Sequence, residues 1–97
     1  MPTSLDMPTI PVRMRVDGER AVEDLQLAAK NLELADGEMV LDFSSVQRLN
    51  TVAVRELEAL ANSADKKGTK LSLRGVNVDV YKVLKLVKLS RRFSLVN

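Results

Sequence analysis

The chain contains no cysteine and no histidine among its 97 residues. Their absence excludes disulfide bonds, zinc sites of the usual Cys/His type, thiol nucleophiles and every catalytic triad that depends on an imidazole. The four glycines, Gly18, Gly37, Gly68 and Gly75, are too far apart to form a phosphate-binding loop. Because only carboxylates, lysines, hydroxyls and Tyr81 remain for chemistry, we expect no independent enzymatic activity, no metal site and no cofactor.

Aromatic residues and long apolar runs are also scarce. Aromatics make up 3 % of the chain, so the basic residues lack the stacking partners typical of nucleic-acid-binding proteins. No apolar run approaches the roughly 20 residues of a membrane span, and residues 1–11 lack the basic and long apolar regions of a secretory signal. We therefore predict a cytoplasmic protein with no nucleic-acid partner and no transmembrane segment.

The composition of 45 % apolar and 29 % charged residues is that of an ordinary globular protein of one domain. All three prolines lie within residues 1–11, which predicts an N-terminal tail or edge segment there and a domain over residues 12–97. The net charge of +2 is unevenly distributed, because residues 71–97 carry six basic groups against Asp79 alone. We interpret the basic segment as a solvated helix face, or as a surface for an acidic protein or an anionic membrane.

Apolar residues recur with the periods of alternating strands and helices. Strands are predicted at residues 12–16, 39–43, 71–74 and 93–96, and three helices are predicted from apolar residues at helical spacing within residues 22–32, 54–64 and 80–87. The nearly continuous apolar run at 39–43 is typical of a strand covered on both faces. The alternation predicts one α/β domain with a mixed, mostly parallel sheet of about four strands and helices packed mainly on one face.

The bend between the strand at 39–43 and the next helix carries the most informative polar residues. Asn50 or Thr51 is predicted to cap the start of that helix, and Gly68 follows its end. A hydroxyl at Thr51 would face the positive end of the helix macrodipole, a place that suits a phosphate. Asp42 is expected to be buried and hydrogen-bonded at the end of its strand.

Two further elements are expected to meet at this bend. Ser44 and Ser45 directly follow the strand, where their side chains can satisfy backbone groups at its end. Asn77, two residues after Gly75, is predicted to cap the last helix. Because the carboxyl ends of neighbouring parallel strands lie side by side, Asn77 is expected close to Thr51.

These residues resemble a known family. The chain resembles the STAS family over about residues 12–96. The resemblance lies in a strand that ends in Leu-Asp-Phe, two small polar residues, a helix that opens on a hydroxyl, and the following stretch KKGTKLSLRGVNVDVYKVLKLVKL. In that family, which includes bacterial anti-sigma-factor antagonists, the bend usually reads Asp-Ser-Ser/Thr-Gly-Leu, and a partner kinase phosphorylates the first Ser. The corresponding residues here are Asn50 for Asp, Thr51 for the phosphorylated Ser, Ala53 for Gly and Val54 for Leu.

The resemblance implies a protein that acts by binding, with Thr51 as the phosphoacceptor. The partner would be an anti-sigma factor with kinase activity, which holds the ATP and releases the protein once Thr51 is phosphorylated. The implied partner-binding residues are Ser44, Ser45, Asn50, Thr51, Val52, Arg55 and Asn77.

A second branch of the family leaves an alternative open. STAS subunits of bacterial lipid-transport ABC complexes often carry Thr at the bend and a Gly-Val-Asn followed by a Tyr-containing helix, similar to Gly75, Val76, Asn77 and Tyr81. Such a subunit would bind the transporter ATPase. A scaffold without a switch is the third interpretation, ahead of a small enzyme.

Overall fold

The computed structural model describes residues 12–96, in which strands and helices alternate along the chain. The strands are β1 (Val12–Arg15), β2 (Glu38–Asp42), β3 (Lys70–Arg74) and β4 (Ser94–Val96), and the helices are α1 (Ala21–Leu32), α2 (Thr51–Lys67) and α3 (Val78–Leu86). A short 3-10 turn, Gly18–Arg20, precedes α1. The tail predicted at residues 1–11 lies outside the described residues.

The four strands form one sheet in the order β1-β2-β3-β4, and all three pairings are parallel. Met14 pairs with Leu41, which pairs in turn with Leu73. Each crossover therefore moves one strand along the sheet in the same direction. Because such crossovers are right-handed, the three helices lie on one face of the sheet, which confirms the predicted architecture.

The core lies between this face of the sheet and the helices. The strands contribute Met39, Leu41, Leu71 and Leu73, and Phe43 follows β2 directly. The helices contribute buried residues at three- and four-residue intervals, namely Leu25, Ala28 and Leu32 from α1, Leu57, Leu60, Ala61 and Ala64 from α2, and Val80 and Leu84 from α3. All of them belong to one hydrophobic cluster, as expected for a single domain.

Three details of the sequence prediction are wrong. Val40 is only half-buried, so β2 is covered by helices on one face and not on both. Ala21, which precedes the helix predicted at residues 22–32, is buried and is the first residue of α1. Helix α3 ends at Leu86, so Val87 belongs to the following turn and lies partly in solvent.

Contacts between elements complete the helix ends. Helix α2 ends at Lys67, and Gly68, which was predicted to follow its end, is the C-cap in a left-handed conformation with a φ of 76°. Lys67, in the last turn of α2, extends its Nζ to the C-terminus of α1. There it donates to the carbonyl oxygens of Leu32, Glu33 and Ala35 at 2.6, 2.6 and 2.7 Å. The lysine thus adds to the backbone hydrogen bonds that Leu34 and Ala35 donate to the last carbonyl oxygens of α1.

Candidate functional site

The carboxyl ends of β2 and β3 and the first turns of α2 and α3 lie along one edge of the domain. We call this edge the rim and define it as the loop 43–50, the first turn of α2 (residues 51–55) and the segment 75–81. All seven residues implied by the resemblance lie on the rim. The parallel sheet brings them together because the strand ends that precede the two helices are adjacent.

Asn50 is the N-cap of α2. Its backbone is extended, with φ −87° and ψ 173°, and its Oδ1 accepts a hydrogen bond of 2.7 Å from the backbone N–H of Ala53. Its carbonyl oxygen accepts the first helical hydrogen bond, from Val54. The amide oxygen of Asn50 therefore supplies the capping acceptor of α2.

Thr51 is the first residue inside the helix, and its side chain is exposed. Because Asn50 makes the cap, the Thr51 hydroxyl is not needed for it, and it makes no hydrogen bond to any other described residue. The sequence left two candidates for the cap, and the structure assigns that role to Asn50. The hydroxyl of Thr51 thus stands free at the positive end of a helix of 17 residues.

Asn77 connects the two halves of the rim. Its Oδ1 accepts from the backbone N–H of Val80 at 2.7 Å, which makes it the N-cap of α3, as predicted. Its Nδ2 donates to the carbonyl oxygens of Val46 and Gln47 at 3.3 and 3.2 Å. One amide therefore both starts α3 and holds the loop that leads into Asn50.

Ser44 and Ser45 anchor the loop after β2 in different directions. The Ser45 hydroxyl donates to the carbonyl oxygen of Val16 at 3.0 Å, so this side chain ties the loop to the end of β1. Ser44 is exposed and lies against Gly75, where an added Cβ would approach the Ser44 Cβ to 3.0 Å. A Cβ at Gly18 would overlap the Ser45 carbonyl oxygen, so two glycines permit the close approach of neighbouring loops at the rim.

Asp42 is half-buried at the end of β2, and its Oδ1 accepts from the backbone N–H of Ser44 at 2.9 Å. Hydrogen bonding to Ser44, chiefly to its backbone N–H, holds the pKa of the Asp42 carboxyl below its ordinary value. Arg15 and Arg74 add smaller effects in the same direction. The predicted hydrogen bond is present, although the carboxylate is less deeply buried than expected.

The remaining rim residues form an exposed, partly apolar surface. Val52 and Arg55 project from the first turns of α2, and 50 % of Val52 is exposed. An apolar concavity of about 290 Å³ lies at the segment 75–81 and the end of β4, and it is lined by Val76, Asn77, Val78, Tyr81, Leu95 and Val96. On the other side of the loop is a polar concavity of about 590 Å³, lined by Asp17, Gly18, Glu19, Ser45, Gln47 and Arg48.

Sequence reasoning missed part of this surface. The clearest omissions are five residues that line the two concavities, namely Gln47, Arg48, Val78, Leu95 and Val96. The available signal was positional, because Gln47, Arg48 and Val78 come after the carboxyl ends of β2 and β3, and Leu95 and Val96 lie at the carboxyl end of β4. No described group of three or more carboxylates is arranged to hold a metal ion.

No helix within residues 12–96 has the length and apolar character needed to cross a membrane. No curated protein has a sequence that matches this chain significantly.

The fold is similar to three solved structures at low sequence identity. A candidate anti-sigma factor antagonist (tm1081) from Thermotoga maritima shares 20 % identity with a TM-score of 0.70, over 94 % of this chain and 75 % of that chain. A sulfate transporter family protein from Wolinella succinogenes shares 19 % identity with a TM-score of 0.76, over 98 % and 84 %. The STAS domain of a SulP transporter from Vibrio cholerae shares 18 % identity with a TM-score of 0.75, over 94 % and 76 %.

The sequence itself matches the model of the STAS domain over residues 8–97. This match covers nearly the whole chain, and the parallel sheet with three helices on one face agrees with the fold of the solved STAS domains. The chain therefore belongs to the STAS domain family.

Proposed function

We propose that this protein is an anti-sigma-factor antagonist that binds an anti-sigma factor with kinase activity and is switched by phosphorylation of Thr51. In the unphosphorylated state it captures the anti-sigma factor through the rim and thereby frees the sigma factor. In the phosphorylated state it releases the anti-sigma factor. The protein supplies a binding surface and an acceptor hydroxyl, while ATP and the catalytic groups belong to the partner.

The observation that carries this proposal is the division of roles between Asn50 and Thr51. Asn50 satisfies the helix end, so modification of the Thr51 hydroxyl breaks no capping hydrogen bond. Thr51 is also exposed, as a phosphoacceptor must be. A phosphate on this side chain would lie at the positive end of α2, where negative charge is favourable by about 0.3–1 kcal/mol. Phosphorylation is therefore expected to leave the domain folded.

In the transfer step, Thr51 Oγ1 attacks the γ-phosphorus of ATP held by the kinase. The bond between Oγ1 and phosphorus forms as the bond to the ADP oxygen breaks, and the hydroxyl proton passes to a base on the kinase. The product carries about 1.5 to 2 additional negative charges on the rim. A partner that covers Thr51 would have to desolvate this charge, so the complex dissociates although the fold remains intact.

The neighbouring surface suits a protein partner. Val52, Val78 and Tyr81 are 50 %, 68 % and 41 % exposed, and they offer apolar contact area on either side of Asn77. Fixed loops at the rim, held by Asn77 and Ser45, reduce the conformational entropy that such a partner must remove on binding.

The test is affinity purification from the native host with four baits: the wild-type protein, Thr51→Ala, Thr51→Glu and Ser63→Glu. Ser63 is an exposed residue of α2 twelve positions after Thr51, about 18 Å along the helix, so Ser63→Glu adds the same charge away from the rim. We expect an anti-sigma kinase with every bait except Thr51→Glu, and a phosphorylated species in the intact mass of the wild-type protein. Thermal unfolding should show that Thr51→Glu is at least as stable as the wild type.

Equal recovery of the kinase by Thr51→Glu, with no phosphate on the wild-type protein, would contradict the switch. The alternative is a regulatory subunit bound to the ATPase of a lipid-transport ABC complex, and similarity to STAS domains of transporter proteins makes it the second candidate. Recovery of a transporter ATPase by all four baits would favour this alternative. Thr51 would then be an ordinary first residue of a helix.

A further inference from the structure

The face of the sheet opposite the helices carries a concentrated group of arginines. Because side chains alternate along a strand, this open face consists of Arg13, Arg15, Glu38, Val40, Asp42, Lys70, Ser72, Arg74, Ser94 and Val96. No described helix packs against it. Only two of its ten residues are apolar, so the open face differs in character from the apolar part of the rim.

Three arginines surround one carboxylate at the carboxyl end of this face. Arg15, Asp42 and Arg74 are in register on three adjacent strands. Arg13 lies two residues before Arg15 in β1 and therefore on the same face. They line a half-open concavity of about 510 Å³ together with Met14, Val40, Ser44 and Gly75. Within residues 12–96, none of the three guanidinium groups forms an ion pair with a carboxylate.

Asp42 forms no ion pair with these arginines among the described residues, and its Oδ1 accepts a hydrogen bond from the backbone N–H of Ser44. Three positive groups and one negative group leave a net charge of +2 around the concavity. An arginine side chain presents a planar fork of N–H donors that matches a carboxylate or a phosphate. The donors of Arg13, Arg15 and Arg74 are therefore available to an anionic partner.

The shape and lining favour an acidic protein segment over a nucleotide. The concavity has no aromatic side chain on which a base could stack, and its apolar lining is limited to Met14 and Val40. Arg15 and Arg74 lie two strands apart, which is about 10 Å at the spacing of neighbouring strands. Because side chains alternate and each residue advances about 3.3 Å, carboxylates two and four residues apart on one side of an extended chain are about 7 and 13 Å apart, a range that includes this distance.

We propose that the open face is a second docking surface, which binds an acidic segment of a partner protein through Arg13, Arg15 and Arg74. This interaction is independent of the switch at Thr51, because the arginines lie on the sheet face and not on α2. Ser44 connects the two surfaces, so one partner can contact both.

The test measures binding of a fluorescently labelled, glutamate-rich peptide by anisotropy at low salt. The triple variant Arg13→Gln/Arg15→Gln/Arg74→Gln is compared with Lys82→Gln/Lys85→Gln/Lys88→Gln, which removes the same charge from exposed lysines elsewhere. We expect the arginine variant to weaken binding about tenfold or more and the lysine variant to change it only about twofold. Circular dichroism establishes that each variant is folded.

A second pair of variants tests the same site by gain of binding. Asp42→Asn removes the one negative charge among the arginines and should strengthen peptide binding, whereas Asp79→Asn on α3 makes the same change of net charge away from the site. We expect a larger gain for Asp42→Asn. This comparison remains informative if the triple arginine variant does not fold. Thr51→Glu should bind the peptide as the wild type does, which separates this result from that of the proposed switch.

Three results would overturn the proposal. Equal losses of peptide affinity in the arginine and lysine variants would show that the peptide responds only to the net charge of the protein. Equal gains of affinity for Asp42→Asn and Asp79→Asn would show the same. Binding of inorganic tripolyphosphate that depends on the three arginines, without binding of the peptide, would identify a phosphate site instead.

Discussion

Asn50 and Thr51 show how adjacent polar residues at a helix start take different roles. Asn50 Oδ1 satisfies the backbone N–H of Ala53, while the Thr51 side chain lies inside the helix and in solvent. A cap is defined by an extended backbone one residue before the helix, and only Asn50 has it. The stability of α2 therefore depends on Asn50, which leaves Thr51 available for regulation.

This division predicts unequal effects of two alanine substitutions. Asn50→Ala should lower the free energy of unfolding by about 1 kcal/mol, because it removes the capping oxygen. Thr51→Ala should change it by less than about 0.5 kcal/mol, since the hydroxyl has no bond to lose in the described structure. Urea denaturation of both variants measures the difference. A larger loss of unfolding free energy for Thr51→Ala than for Asn50→Ala would show that Thr51, and not Asn50, provides the cap.

At the scale of elements, α1 and α2 are joined by a polar contact as well as by their apolar faces. Lys67 Nζ lies within 2.7 Å of three carbonyl oxygens at the C-terminus of α1. Those carbonyls carry the negative end of the α1 macrodipole, so the lysine supplies both hydrogen bonds and a favourable charge. The packing of the two helices thus includes a cap provided by another element.

Replacement of this lysine by a side chain of similar length tests the contact. Lys67→Met retains an apolar stem but loses the ammonium group, and it should lower the free energy of unfolding by about 1–2 kcal/mol. Lys66→Met is the matched control, because Lys66 is the exposed preceding residue of the same helix. It should change stability by less than about 0.5 kcal/mol. Thermal or urea unfolding distinguishes the two, and equal effects would refute the capping role.

At the scale of the whole molecule, the sheet has two faces with different properties. The face toward the helices is closed by one apolar cluster, while the opposite face is rich in charged residues. The residues that we propose to bind partners accordingly fall into two regions, the rim at the strand ends and the arginines of the open face. The helices leave both regions accessible because all three lie on the same side of the sheet.

Two neighbouring residues of β2 test this one-sided arrangement. Leu41 is fully buried against the helices, so Leu41→Ala should lower the free energy of unfolding by about 2–5 kcal/mol. Val40 points to the open face and is half-buried, so Val40→Ala should cost less than about 1 kcal/mol. Equilibrium denaturation with urea measures both. A comparable loss for Val40→Ala would mean that the open face is covered as well.

The order of the strands and helices could be predicted from the sequence, because the apolar periods of these elements and the glycine after α2 are local signals. It also placed Thr51 and Asn77 at neighbouring strand ends, since a repeated strand-helix pattern implies a parallel sheet. The STAS resemblance followed from the same local stretch, and the match over residues 8–97 confirms it. The roles proposed for the rim residues in partner binding remain predictions.

The contacts between groups that are far apart in the chain could not be predicted from the sequence and are visible only in the folded domain. Lys67 reaches residues more than 30 positions earlier, Asn77 holds the carbonyls of Val46 and Gln47, and Arg15 and Arg74 flank Asp42. Each of these contacts depends on strand register and on the direction of the crossovers. Local propensities set neither of these, because both follow from packing the helices together on one face of the sheet.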